Sequence, residues 1–399
     1  MNNRFRVVLF WLHLAVGVTV GLIVALMSAT GAALAFDAQI RAWAEGDSSR
    51  VVPPDPAVVL PADEVLARVR AARPNATVNS LSFPSDRTRA VRVSLGREVL
   101  FVDPYRGDVR PSSGQTTSHV LGVLVRWHRY LGAEGDGRDL GKAITGAANA
   151  GFLFLALSGL ILWLPRRWTA RTVRAVSWFR RGLGGKARDF NWHNVIGFWS
   201  VPVLLVLTFS GLMISYRPVT ALIYRVAGET PPVQGAPAAP PPVVPTPPAG
   251  AKPLAIEPLL AVARAQVPDW TTMNVRLPNN GGRGKAGATA PPFAIGIKAP
   301  SAGPPFASIN LSLDPYTGNV LKDERFAGFG PGRRTRTWLR FLHTGEALGV
   351  IGQFIAGLVS LGAVVLVYTG FALAWRRWRA SVARKSGVRE PEPTAEALG

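Results

Sequence analysis

The side chains in this chain best suited to chemistry are five histidines: His13, His119, His128, His193 and His343. There is no cysteine among the 399 residues. Without thiols the chain forms no disulfide, thiolate zinc site, Cys-ligated iron–sulfur cluster, thiol nucleophile or covalently attached c-type haem. Imidazole is then the side chain suited to hold haem iron or another transition metal. No nucleophile–base–acid constellation stands out, so hydrolysis is not expected. No G-x-G-x-x-G follows a strand, and a nicotinamide or flavin site of that kind is unsupported. The run from Gly182 to Ala187 has the wrong spacing for a phosphate loop and no Ser or Thr after Lys186. It reads as a basic loop at lipid headgroups.

Spacing sorts four of the histidines into pairs. His13-x3-Gly17 recurs as His193-x3-Gly197 at an offset of 180, and Gly31 recurs as Gly211. A second register, at an offset of 211, matches Asp103-Pro104-Tyr105-x-Gly107-x-Val109 to Asp314-Pro315-Tyr316-x-Gly318-x-Val320. It continues through Trp127/Trp338, Arg129/Arg340, Gly141/Gly352, Gly146/Gly357, Gly151/Gly362 and Gly159/Gly370. The chain therefore reads as two parallel repeats about an axis along the membrane normal. On that symmetry His13 and His193 face one another, and two opposed imidazoles are what a six-coordinate b-type haem requires. Gly17 and Gly197, one turn further on, would leave room for a flat macrocycle. His128 matches Leu339 and His343 matches Gly132, four positions apart, so this second pair keeps one helix face at two heights. His119 has no counterpart and reads as an interfacial histidine, with replacement of one ligand of the second pair as the alternative.

Four apolar runs must position these residues. From Val7 to Phe36 there is no charge for 30 positions, and runs at 143–165, 194–216 and 347–375 follow. A 30-residue helix is about 45 Å long, enough to cross a bilayer. The first run is about twice the length of a signal-peptide core and has an internal counterpart, so it reads as a retained helix. The net charge of +21 invites a nucleic-acid reading, but its distribution argues otherwise. The segments 1–6, 166–193 and 376–399 carry 16 basic and 4 acidic residues. By the positive-inside rule they are cytoplasmic, which puts both termini inside and the long segments 37–142 and 217–346 outside. Trp163, Trp168, Trp192, Trp199, Trp375 and Trp378 sit near the cytoplasmic ends as an aromatic belt.

The long segments read as α+β. The first has helical periodicity over 61–72 and alternation over 77–83, 90–95 and 99–102. The second has a helix over 254–265 and strands near 272–277, 293–297 and 307–313. A Pro/Ala linker spans 231–253 and a Gly-rich loop 279–291.

The helix–strand–strand–strand unit ending in Asp-Pro-Tyr-Thr-Gly-Asn-Val at 314–320 resembles a PepSY domain. Two such units alternating with four helices, with His near helix ends, resemble the PepSY-associated transmembrane family over nearly the whole chain. The fold class expected is an α-helical integral membrane protein of two parallel repeats, each with an external α+β PepSY-like domain. Its parts are a first transmembrane helix (1–36), a PepSY-like domain (37–116), an interfacial helix with the second transmembrane helix (117–165) and a basic cytoplasmic loop (166–192). A third helix (193–217), a second PepSY-like domain (218–335), an interfacial segment with the fourth helix (336–375) and a cytoplasmic tail (376–399) follow.

The family includes iron-regulated inner-membrane proteins and haem-containing ferric-siderophore reductases. The resemblance implies that His13, His128, His193 and His343 are haem-iron ligands for two b-type haems. It implies a reductase of the bacterial inner membrane acting on an external ferric siderophore or another iron complex. The electron donor, a quinol or a separate flavoprotein, is not in the chain. Arg87, Arg89, Arg92, Arg106 and Arg110 are candidates for contact with an anionic complex. The alternative is a non-redox PepSY scaffold or regulator that binds a protein or peptide. A transporter is a third reading, opposed by the absence of an intramembrane acid. The partners expected are membrane lipid and the iron complex, and no nucleic acid.

Overall fold

The structure is a computed structural model that describes residues 3–165, 168–232, 242–248, 250–277 and 290–385. Arg166 and Arg167, linker residues 233–241 and 249, residues 279–289 of the Gly-rich loop and the tail from 386, with Arg389, lie outside the described residues.

The first part of the chain runs α1 (Asn3–Leu34), α2 (Asp37–Ala44), α3 (Ala62–Ala72), β1 (Ser80–Pro84), β2 (Val91–Leu95), β3 (Glu98–Val102), β4 (Val109–Pro111), α4 (Gln115–Tyr130), α5 (Gly137–Trp163) and α6 (Ala170–Ser177). The second runs α7 (Gly185–Ser215), α8 (Arg217–Val226), α9 (Ile256–Gln266), β5 (Thr272–Arg276), β6 (Phe293–Lys298), β7 (Ile309–Leu313), β8 (Val320–Glu324), α10 (Pro331–His343) and α11 (Gly349–Lys385). Two compact units result. One comprises Met1–Ala35, Val123–Arg217 and Leu342–Gly399, the other Phe36–Gly122 and Pro218–Phe341.

The first unit is a helical bundle. Its four long helices, α1, α5, α7 and α11, are each long and apolar enough to cross a membrane. Each packs on two neighbours in the ring order α1–α5–α7–α11, so α1 stands diagonally to α7. Helix α7 begins at Gly185, nine residues before its apolar run starts at Asn194. Hydropathy misses this stretch because Lys186, Arg188 and Asp189 are charged. Asp189 is buried and ion-paired with both Arg188 and Arg376, which ties α7 to α11.

The second unit is one antiparallel sheet of eight strands in the order β4-β3-β2-β1-β5-β6-β7-β8. The strands of the two long segments share it through the pairing of β1 with β5, with Leu81 opposite Val275. Alternation predicts the strands but not this junction. Strands β1 and β5 would each be an exposed edge alone, and pairing satisfies both sets of backbone groups. Alternate residues turn inward to a single core, with Val69, Leu81, Leu100, Leu260, Ile297 and Ile309 all fully buried.

The Asp-Pro-Tyr motif makes the same turn twice. Asp103 Oδ1 accepts from the Tyr105 and Arg106 amides, and Asp314 Oδ1 from those of Tyr316 and Thr317. Gly107 and Gly318 close these turns at φ of 76° each, a left-handed conformation that favours glycine. Strand β4, beyond the first turn, has three residues and is too brief for periodicity to predict, and β8, beyond the second, runs Lys322-Asp323-Glu324 without an apolar alternation.

Helices α3 and α9 cap each other. Neither has a side-chain cap from its own N-cap residue, Pro61 or Ala255. Instead Asp63 accepts from the amides of Ile256 at 2.8 Å and Glu257 at 2.9 Å, while Glu257 accepts from the Ala62 amide at 2.9 Å. Losing a side-chain cap costs about 1–2 kcal/mol. Asp63→Ala is accordingly expected to lower the thermal unfolding midpoint of the sheet unit, followed by circular dichroism. An unchanged midpoint would show that water replaces the carboxylate at no cost.

Candidate functional site

Helix α1 carries His13 near its start and α7 carries His193 in the equivalent place. Because these helices are diagonal in the ring, both rings point into the bundle, and their centroids are 6.5 Å apart. The second pair forms within the same unit from the ends of α4 and α10. The rings of His128 and His343 have centroids 6.3 Å apart. The structure thus brings together both pairs that spacing suggests. His119, nine residues before His128 on α4, is exposed.

Each ring is held by a hydroxyl residue on a neighbouring helix. His13 Nδ1 lies 2.8 Å from Ser158 Oγ, and His193 Nδ1 2.9 Å from Thr369 Oγ1. His128 Nδ1 lies 3.2 Å from Thr30 Oγ1 and 2.9 Å from the Met27 carbonyl. His343 Nδ1 lies 3.0 Å from both Ser210 Oγ and the Leu207 carbonyl.

These contacts favour a proton on Nδ1 of each ring. A carbonyl only accepts, so His128 and His343 donate from Nδ1. The hydroxyls of Ser158, Thr369, Thr30 and Ser210 each donate to a carbonyl four residues back, at 2.7, 2.8, 2.7 and 2.5 Å. With that proton committed, each hydroxyl accepts from the imidazole. All four rings therefore present Nε2 with its lone pair free, the tautomer a metal ligand needs. Burial pushes the His343 imidazole down to about 4, with His128 adding to the effect, and burial lowers His128 as well. Both shifts favour the neutral ring, the form that ligation requires.

A glycine lies beside each hydroxyl and under each ring. A Cβ at Gly159 would stand 3.4 Å from His13 Cε1, and one at Gly370 3.5 Å from His193 Cε1. At Gly31 the distance to His128 Cε1 would be 3.2 Å, and at Gly211 3.3 Å to His343 Cε1. The four seats are Ser158-Gly159, Thr369-Gly370, Thr30-Gly31 and Ser210-Gly211. The glycines are visible in the sequence repeat, but the hydroxyls before them are not recognised there. Ser and Thr in apolar helices ordinarily bond their own backbone and attract no notice. The usable signal is a Ser/Thr-Gly dipeptide recurring at matched repeat positions.

The spacing of the rings fits a shared metal. A metal–imidazole bond is about 2 Å long and the nitrogen lies about 1 Å from the ring centroid, so two imidazoles on one ion have centroids about 6 Å apart. Among the described residues no group of three or more His, Asp or Glu converges on a point. Two protein nitrogens suit an ion whose other positions a macrocycle fills. The pairs are separated along α1 by the 17 residues from His13 to Thr30, about 26 Å of rise. Between them packs an aliphatic cluster of Ala156, Val201, Leu204, Val359 and Ala363.

A family model described as the PepSY-associated TM region matches residues 10–377. No curated protein matches the chain.

Proposed function

Because the chain belongs to the family of the PepSY-associated TM region, we propose that it is a haem-holding reductase of the bacterial inner membrane, passing electrons to an external ferric siderophore or another iron complex. The observation that carries this reading is the matched seating of two facing imidazole pairs, at 6.5 and 6.3 Å, at opposite ends of α1. A b-type haem supplies a reversible one-electron couple when bound.

The chain's own residues do the rest. His13 and His193 would hold one group, and His128 and His343 the other. Ser158, Thr369, Thr30 and Ser210 fix ring orientation and keep the Nδ1 proton in place, which raises the basicity of Nε2. The aliphatic cluster between the pairs keeps water out of the middle of the bundle. A quinol or a separate flavoprotein supplies the electrons.

The test is the visible spectrum of the purified protein before and after dithionite. Low-spin b-type bands at two haems per chain are expected. A colourless preparation from haem-replete cells would overturn the reading in favour of a non-redox scaffold.

Orientation belongs to the same proposal. By the positive-inside rule, the basic residues of the short segments favour both termini in the cytoplasm. The absence of cysteine makes this easy to check. A cysteine introduced at Ser113 should react with a membrane-impermeant maleimide in intact spheroplasts, and one at Arg181 only after lysis. The reverse pattern would invert the topology.

A further inference from the structure

An open cleft of about 680 Å³ lies in the sheet unit, and arginines dominate its wall. Arg50 and Arg89 are directly opposite one another across an antiparallel bridge. Like charges in that position destabilise a sheet, so the fold alone does not account for them. Arg110 on β4 and Arg106 in the β3–β4 turn complete the set. Arg110 Nη2 donates to the Arg50 carbonyl, but its Nε is buried with no hydrogen-bond partner. A buried donor without an acceptor points to a missing one.

Asp86 is paired with Arg89, but among the described residues no ion pair joins Arg50, Arg106 or Arg110 to an acid of the wall. Asp103 is spent on the amides of Tyr105 and Arg106. Asp86 accepts from the hydroxyl and amide of Thr88, which with Arg89 at 3.9 Å hold its carboxyl below the usual carboxylate range. Asp108 is exposed. Arg92, a sequence candidate for anion contact, is instead paired with Glu45.

From these arginines we propose that the cleft binds a small polycarboxylate. Planar guanidinium groups match carboxylates two donors at a time, and several from different elements favour a ligand with several carboxylates over a single anion. The volume is that of a small-molecule site rather than a protein interface. That this ligand is the chelator of the iron being reduced rests on the function proposed above.

The test is titration calorimetry of citrate into the full-length protein in nanodiscs, with inorganic phosphate as comparator. Saturable citrate binding is expected, at least ten-fold tighter than phosphate. Arg50→Ala and Arg106→Ala, neither of which removes a hydrogen bond seen among the described side chains, should each weaken citrate at least five-fold. Arg70→Ala, on the exposed face of α3, should leave it unchanged. Absence of saturable binding, equal affinity for phosphate, or equal weakening by Arg70→Ala would overturn the proposal. The visible haem bands are recorded on the same preparation, independently of the citrate titration. Failure of the cleft and failure of the haem reading are thereby seen separately.

Discussion

Replacing His193 by Ala is expected to remove about half of the dithionite-reducible haem and leave the other half with an unchanged low-spin spectrum. His343→Ala should remove the complementary half. The expectation of halves follows from geometry. The two pairs sit about 26 Å apart along α1, with aliphatic side chains between them, and share no ring and no hydroxyl. If these imidazoles hold the haem iron, losing one of the two nitrogens would leave a single imidazole in an apolar site where water is a poor substitute. Haem counted per chain, with reduced-minus-oxidised spectra of each variant, reads the result directly. Loss of all haem in both variants would mean one group shared between the pairs. Loss of none would reject these histidines as ligands.

How much of this was visible before the structure differs between the two pairs. His13 and His193 obey one register, and their approach across the diagonal follows from it. His128 and His343 are four positions out of register yet meet just as closely. The reason lies in what they dock against. His128 reaches Met27, Thr30 and Gly31 of α1, while His343 reaches Leu207, Ser210 and Gly211 of α7. Those two seats match residue for residue at the offset of 180. The register is kept by the acceptors, and the turn of mismatch is taken up by α10, which runs on to His343 while α4 stops at Tyr130. A pattern written only in histidines shows half of this, because the other half is written in hydroxyls and glycines of apolar helices.

The sheet repeats the lesson at another scale. Alternating burial marks β1, β2, β5, β6 and β7 within a residue or three of their ends, since period-two alternation is a local property. The junction of β1 with β5 is not local. It joins residues 188 to 196 positions apart, such as Leu81 and Val275, and nothing in either strand names its partner. The reciprocal caps of Asp63 and Glu257 are hidden for the same reason. Each acid looks like an ordinary first-turn carboxylate of its own helix, and only the packing of α3 on α9 turns it toward the other's amides.

The hydroxyl seats are unequal, and the inequality yields the second large effect. For His13, among the described residues, the acceptor of the Nδ1 proton is Ser158 Oγ alone. For His128 the Thr30 hydroxyl at 3.2 Å is backed by the Met27 carbonyl at 2.9 Å, the shorter contact. Ser158→Ala therefore strips the His13 ring of its one acceptor among the described residues and leaves a part-buried N–H unpaired, free to rotate or change tautomer. Loss of such an outer-shell partner typically costs a site about 10–100-fold in metal affinity. Ser158→Ala is expected to weaken haem at the His13/His193 site by that factor, measured as faster transfer to a high-affinity haem acceptor. Thr30→Val keeps the shape and loses the lesser of two acceptors, so the His128/His343 site should weaken by less than about five-fold, the backbone carbonyl continuing to hold the tautomer. Ser158→Thr should restore retention at the first site, because it returns an oxygen to the same place. If Ser158→Ala and Thr30→Val weakened their sites equally, packing rather than the Nδ1 hydrogen bond would be what the hydroxyls contribute.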